Sequence, residues 1–248
     1  MSYEKILQLG FVGDGQMSRA IQTAAQSAGH TVSSIIRRND STENIDGSLI
    51  YECALPEGVL ERIKTLCDLS KDVVIVTTGW YDRLEEVRQW VEVAGNRVVW
   101  SSNYSIGVQL FFKIVNYSSQ LFNHMIEYDI WGTELHHRNK TDSPSGTART
   151  LGEIIINNIE RKKTLVTETL HRKIKPEEIH FSSTRGGENN FSHTISFGGA
   201  SDCITLQHSA TNRNEYAIGA IKAGEWLNRQ PPGFYSMEDF LSDLLPRI

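Results

Sequence analysis

Cysteine is scarce in this 248-residue chain, with Cys53, Cys67 and Cys203 far apart in sequence. Their odd number and wide spacing exclude a disulfide framework and a paired-cysteine zinc site, so reduced thiols in a cytoplasmic protein are expected. Long hydrophobic runs are also missing. No segment carries enough consecutive apolar residues to cross a bilayer, and the opening Met-Ser-Tyr-Glu-Lys passes straight into a strand pattern with no signal-peptide h-region. No membrane partner is expected. Positive charge is not in excess: 25 Lys and Arg face 30 Asp and Glu, a formal net charge of −5. That argues against nucleic acid as a partner while leaving room for local basic pockets. There are no repeats and no low-complexity tracts. With 39% hydrophobic and 22% charged residues, the chain has the makeup of a globular protein with one large domain or two smaller ones.

The second apolar strand lacks something as well: an acid at its end. Ile6 to Val12 reads as a buried strand, and Gly13-Asp14-Gly15-Gln16-Met17-Ser18 follows at once. Met17, Ala20, Ile21, Ala24, Ala25 and Ala28 then recur at helical spacing until Gly29, and 31–36 reads as a strand. This is the opening βαβ of a dinucleotide-binding fold. Gly13 permits the tight turn, and Gly15 lets backbone approach a pyrophosphate. The helix starting near Gln16 offers N–H groups and a positive dipole end. Ser18, at the third glycine position, is small enough for close packing. Paired glycines also make plain turns; their place between strand and helix is what points to a nucleotide. Folds of this kind that prefer NAD end the second strand in an acid that binds the ribose. Arg37 and Arg38 stand there instead, and guanidinium groups suit a 2′-phosphate by charge and geometry. NADPH is therefore favoured over NADH. The alternatives are two solvated arginines, or a ribose held by Asp40 downstream.

Strands and helices keep alternating to residue 100, with a strand at 48–54, a helix at 57–67, an apolar strand at 73–78, a helix at 82–93 and a strand at 97–100. In open α/β sheets ligands sit beyond the carboxyl ends of strands. Thr77-Thr78-Gly79 and Ser101-Ser102-Asn103-Tyr104 occupy such ends, as ligand contacts or as polar turns. The pattern then changes. A helix at 106–124, a strand at 126–136, a helix at 146–160 and a hairpin at 191–208 imply an antiparallel or mixed sheet. The expected fold class is α/β: a Rossmann-like dinucleotide-binding domain over 1–104 plus 212–248, with a second α+β mixed-sheet domain at 105–211 for substrate binding and oligomerisation. The last helix, about 214–227, returns to the first domain.

Residues 134–148 read Glu-Leu-His-His-Arg-Asn-Lys-Thr-Asp-Ser-Pro-Ser-Gly-Thr-Ala. If strand geometry persists, His136 and His137 point to opposite faces and have different tasks. Histidine delivers protons near neutral pH. Ser143 to Thr147 reads as a capped helix start whose N–H groups can hold a carboxylate, and Lys140 can add a second charge for the same anion. Asp142 reads as a local turn or cap former. A capped helix with no ligand and a hydrogen-bonded structural histidine are the plainer alternatives. Glu134, His136 and His137 lack the i, i+4 spacing of helical zinc ligands, so no metal site is expected.

This block resembles the signature of the dihydrodipicolinate reductase (4-hydroxy-tetrahydrodipicolinate reductase) family. The resemblance runs over nearly the whole chain. It takes in the glycine-rich turn, Pro56-Glu57-Gly58, Thr77-Thr78-Gly79 and Ser102 to Val108. It continues through Arg185-Gly186-Gly187 with His193 and Phe197, then His208 to Ala210, Arg213, and Gly219 to Trp226. The resemblance implies an NAD(P)H-dependent oxidoreductase of lysine and diaminopimelate biosynthesis. Its small cyclic dicarboxylate substrate, 4-hydroxy-tetrahydrodipicolinate, takes hydride at C4 and loses water. By that resemblance His136 is the proton donor or acceptor, and Lys140 is a proton donor that also contacts a carboxylate. His137, Gly146 and Thr147 bind the dicarboxylate. Thr77, Thr78, Gly79 and residues 101–104 line the nicotinamide side, and subunits form tetramers through the second domain. The chain departs from the family pattern at Glu52-Cys53-Ala54, and at Val76 and Phe191, where the family has glycine. Two alternatives remain: a related dehydrogenase of another small amino or imino acid, and a catalytically silent nucleotide-binding sensor.

Overall fold

A computed structural model describes residues 6–188, 191–212 and 214–245. Met1 to Lys5 and Arg213, named above, lie outside the described residues. In chain order the first half runs β1 (Gln8–Val12), α1 (Gln16–Ser27), β2 (Thr31–Ile36), β3 (Leu49–Glu52), α2 (Val59–Asp68), β4 (Asp72–Ile75), α3 (Leu84–Ala94) and β5 (Arg97–Trp100). There follow α4 (Ile106–Asn123), β6 (Asp129–His136), α5 (Gly146–Asn158), β7 (Thr164–Val166), β8 (Glu178–Arg185), β9 (Phe191–Gly198) and β10 (Cys203–Ala210). The chain ends with α6 (Asn214–Leu227), β11 (Gly233–Ser236) and α7 (Met237–Leu244). It divides into two compact units, one of Met1–Ile106 with Arg213–Ile248, the other of Gly107–Asn212.

The first unit is built on a six-stranded sheet in the order β11-β5-β4-β3-β1-β2, parallel throughout. Side chains alternate across it with the period of a strand. Leu9, Phe11, Leu49, Tyr51, Val74 and Val99 face one core, shared with Ile21 and Ala25 of α1 and with residues of α6 and α7. Val12, Ile50, Val73, Ile75 and Val98 face the other, packed on Val59, Ile63 and Leu66 of α2 and Val87 and Val91 of α3. Helices on both faces make a doubly wound, Rossmann-like sheet, and its order reverses at β1 and β3, where such folds bind ligands.

One strand is shorter than its apolar run. The sequence suggests 73–78, yet β4 stops at Ile75. The N–H groups of Val76 and Thr77 both turn onto the Glu52 carbonyl, at 2.8 and 3.2 Å. Thr77 Oγ1 donates to the Ala54 carbonyl at 2.9 Å, and Gly79 takes a left-handed φ of 88°. Local hydrogen bonds therefore end the ladder before the hydrophobicity does. Nor is the helix at 214–227 the last, since β11 and α7 follow it.

The second unit holds a five-stranded sheet in the order β10-β9-β6-β8-β7. It is mixed: β6 runs antiparallel to β9 and parallel to β8. Ile130 on β6, Ile179 and Phe181 on β8, and Ile195 and Phe197 on β9 pack against Leu151 and Ile155 of α5 and Val115 of α4. Alternate residues of β6 are buried: Ile130, Gly132, Glu134 and His136. The same face thus begins apolar and ends ionisable. β7 and β8 were not expected from the sequence.

Candidate active site

In the first unit, the glycine-rich turn has the geometry of a phosphate cradle. Gly13 takes φ 101°, a left-handed conformation, and its N–H donates to the Ile36 carbonyl at 2.8 Å. A Cβ there would lie 2.8 Å from Ala54 backbone atoms, so only glycine fits. Gly15 is the N-cap of α1 and supplies no side-chain cap, which leaves the helix start open to an anion. Ser18 is fully buried, and its Oγ donates to the Gly13 carbonyl at 2.8 Å, so it ties the turn shut as well as fitting it. The turn therefore fits a dinucleotide.

Asp14 has a task the sequence did not reveal. Its carboxylate pairs with Arg19 at 3.2 Å and with Arg37 at 3.5 Å. The Arg19 hydrogen bond leads in holding the Asp14 carboxyl below its ordinary range. The Arg37 backbone N–H donates to Asp40 at 2.8 Å. Arg38 is exposed at the same strand end.

Met17, Thr77, Thr78, Ser101, Ser102, Asn103 and Tyr104 line one cavity of about 310 Å³. The sequence missed four of its other walls: Cys53, Ala54, Pro56 and Tyr216. Cys53, Ala54 and Pro56 stand at positions of the family pattern named above without a binding role, and no motif marks Tyr216. Gly79 turns the chain beside this cavity without lining it. Tyr104 is a pin. Its buried hydroxyl lies 2.9 Å from the Ile75 carbonyl and 3.0 Å from that of Val99, and burial pushes its pKa well up.

In the second unit, strand register assembles a polar cluster. Glu134 pairs across β6 with Ser183 on β8 and with His193 on β9. One inward step along, His136 pairs with Arg185 and Phe191. Residues two apart on a strand share a face. Glu134 Oε1 accepts from Ser183 Oγ at 2.7 Å and Arg185 Nη2 at 2.9 Å. Ser145, the N-cap of α5, donates both its N–H and its hydroxyl to Glu134, while its Oγ accepts the Ala148 N–H at 3.1 Å. Burial alone would raise the Glu134 carboxyl; hydrogen bonds from His193, Ser145, Ser183 and Arg185 outweigh it and hold the group ionised.

His136 is 5% exposed, and burial pushes its pKa down to about 4. His137, past the strand end, is half-buried with its ring edge-on to Phe191. The two histidines do have different surroundings. Lys140 Nζ pairs with Asp142 at 2.7 Å, and the Asp142 carbonyl accepts from Arg185 at 2.6 Å. Asp142 is thus a partner of Lys140 as well as a turn residue. Gly146 and Thr147 open α5, in the first turn, where backbone N–H groups have no intrahelical acceptor. Lys140 and the α5 start suit a carboxylate.

Glu134, His136 and His193 also bring potential metal ligands within 4.8 Å of one another. Glu134 already accepts hydrogen bonds from Ser145, Ser183 and Arg185, and the Arg185 guanidinium would repel a cation there. The set reads as a hydrogen-bonded network. Sequence reasoning named neither Ser145, Ser183, Arg185 nor His193 as site residues, because their meeting depends on the registers of β6, β8 and β9.

Residues 107–241 match the family described as dihydrodipicolinate reductase, C-terminus. The chain belongs to the dihydrodipicolinate reductase family. A 4-hydroxy-tetrahydrodipicolinate reductase of Archaeoglobus fulgidus is 35% identical, over 82% of this chain and 79% of that protein. Among solved structures, a dipicolinate-bound dihydrodipicolinate reductase from Paenisporosarcina sp. TG-14 superposes with a TM-score of 0.73 at 19% identity, covering 95% of this chain and 99% of that one. A probable dehydrogenase from Thermotoga maritima shares the fold more distantly, with a TM-score of 0.55 at 10% identity and coverage of 94% and 92%. The family resemblance carried by residues 134–148 agrees with both the sequence and the structural matches. Among the described residues, no helix is long and apolar enough to cross a membrane.

Proposed function

We propose that this chain reduces 4-hydroxy-tetrahydrodipicolinate with a nicotinamide nucleotide, in the biosynthesis of diaminopimelate and lysine. The observation that carries the reading is the segment from Glu134 to Thr147. It brings a buried histidine, a lysine and the Ser145-capped start of α5, with the first-turn N–H groups of Gly146 and Thr147, together in the second unit, inside the stretch that matches the family. The two alternative readings left by the sequence have no such observation behind them.

The nicotinamide, when bound, supplies the hydride. Gly13 to Ser18 hold the pyrophosphate against the start of α1, and Thr77, Thr78 and residues 101–104 form the walls for the nicotinamide end. Lys140 holds a carboxylate of the substrate and gives a proton, leaving Asp142 to do so. His137, Gly146 and Thr147 bind the dicarboxylate, and His136 exchanges a proton with the reacting ring. Arg37 and Arg38 favour NADPH. The second unit supports a tetramer: Trp131 on β6 and Ile204 on β10 are 38% and 49% exposed on a sheet with an open edge at β10.

The test is turnover with freshly generated substrate and each reduced nucleotide, followed by light scattering for mass. Oxidation of NADPH or NADH is expected only when the substrate is present. Lys140→Ala should lower both turnover and substrate affinity, and Thr147→Val should mainly raise the Michaelis constant. Tight nucleotide binding without turnover under ample substrate would sink the proposal.

A further inference from the structure

The hydrogen bonds of the buried cluster decide which ring nitrogens carry protons. Glu134 is ionised, so it can only accept. Ser145 Oγ lies against Glu134 Oε2, and its single proton must point there. The same Oγ also lies 3.1 Å from His193 Nε2. With its proton spent, Ser145 Oγ can only accept from that ring, so His193 is protonated on Nε2. His136 turns Nδ1 toward the same carboxylate, 3.4 Å from Glu134 Oε2. That nitrogen is sealed from solvent and makes no well-aligned hydrogen bond. A lone pair facing a carboxylate would be repelled, whereas an N–H would be attracted; a small ring rotation would complete the bond.

We propose that Glu134, backed by His193 and Ser145, is the positioning residue of the active site: it fixes His136 as the Nδ1–H tautomer, so that Nε2 is the nitrogen that takes a proton and returns it. This deepens the proposed function and rests on it for the identity of the reaction. Histidine in water prefers the opposite tautomer, and in proteins the partner of one nitrogen sets the state of the other. The groups facing the His136 ring are Glu134 on its own strand, His193 on β9, Arg185 on β8 and Lys140 on the following loop. Three of the four are cationic or neutral and oppose a proton on His136. Glu134 alone favours it. His136 therefore rests neutral at neutral pH, as an acceptor at Nε2, and Glu134 steadies the imidazolium that forms once the proton is taken. His136 is then a relay, and Lys140 is the resting source of the proton.

The experiment is long-range ¹H–¹⁵N correlation of the histidine side chains in the full-length protein at pH 7, with His136→Gln and His193→Gln spectra to assign the two rings. His136 is expected with a protonated Nδ1 and a bare Nε2, and His193 with a protonated Nε2. His136 found with its proton on Nε2 in the wild-type protein would overturn the proposal. Glu134→Gln is then expected to move His136 toward the Nε2–H form. It should lower kcat by roughly 10–100-fold, the scale seen when the partner orienting an imidazole is removed, and leave the Michaelis constant for nucleotide unchanged. Ser183→Ala, which removes only one of the donors to Glu134, should shift the spectrum in the same direction by less. An unchanged tautomer and kcat in Glu134→Gln would also overturn it. Absence of turnover in the wild type would instead count against the proposed function, while the spectrum would still decide the tautomer.

Discussion

His136 couples folding to pH, because its pKa of about 4 lies below the 6.5 of an unperturbed histidine. Between those values the unfolded chain holds a proton that the folded chain refuses. Stability from this group is full above about pH 6.5 and is lost as the pH falls toward 4, by up to roughly 3 kcal/mol. Glu134, whose carboxyl is held below its ordinary range, contributes stability that disappears only at lower pH still. Urea denaturation between pH 7 and 4.5 should show a falling free energy, and His136→Gln should flatten that fall. An equal slope in both proteins would show that the buried ring is not the group responsible. At this scale much was legible. Strand alternation separates His136 from His137 in the sequence, although His137 proves to lie just past the end of β6, and the phosphate turn was legible from two glycines between a strand and a helix. Glu134 was read only as one member of a motif. Its role depends on Ser183 and His193, 49 and 59 positions further along, which no local pattern connects to it.

Among the elements, α5 shows how one cap can serve both folding and binding. Ser145 closes the helix by accepting the Ala148 N–H, and it also spends its hydroxyl proton on Glu134. Ser145→Ala removes the cap, worth about 0.5–2 kcal/mol, and strips a partner from buried Glu134 and His193, which costs a further ~1–3 kcal/mol. Denaturant melts should therefore place it near the upper end of single-residue losses, with a raised Michaelis constant for substrate as the start of α5 frays. A loss under about 0.5 kcal/mol would mean that the helix start is held by other contacts. The elements the sequence hid were hidden for physical reasons. β8 reads Glu-Ile-His-Phe-Ser-Ser-Thr-Arg; Ile179 and Phe181 do alternate, but its other inward positions are polar because they serve the cluster. β11 is a four-residue edge strand following two prolines. α7 carries both a capping box, Ser236 with Asp239, and an apolar stripe of Met237, Phe240 and Leu241, but spreads them over only eight residues, a short signal beside the longer helices.

For the molecule as a whole, an anionic cofactor must be drawn to a protein of net charge −5. The attraction has to be local, and in the first unit Arg19, Arg37 and Arg38 gather it near the carboxyl ends of β1 and β2. Asp14 and Asp40 oppose it there: Asp14 pairs with Arg19 and Arg37, and Asp40 accepts from the Arg37 backbone. Two arginines read from the sequence as a 2′-phosphate site thus share their field with two acids, which the linear order of residues did not disclose. Replacing Arg37 and Arg38 with alanine should weaken NADPH more than NADH, by ~1–3 kcal/mol if both meet the phosphate. Asp14→Asn should act the other way, strengthening NADPH relative to NADH by releasing Arg37 from its partner. Because these groups are exposed, both effects should shrink as ionic strength rises and the Debye length falls below about 10 Å. Titration calorimetry with both nucleotides at two salt concentrations measures all of this. If the double variant lost affinity for NADPH and NADH equally, Arg37 and Arg38 would be solvated charges at a strand end. The choice of nucleotide would then rest on the ribose contact of Asp40.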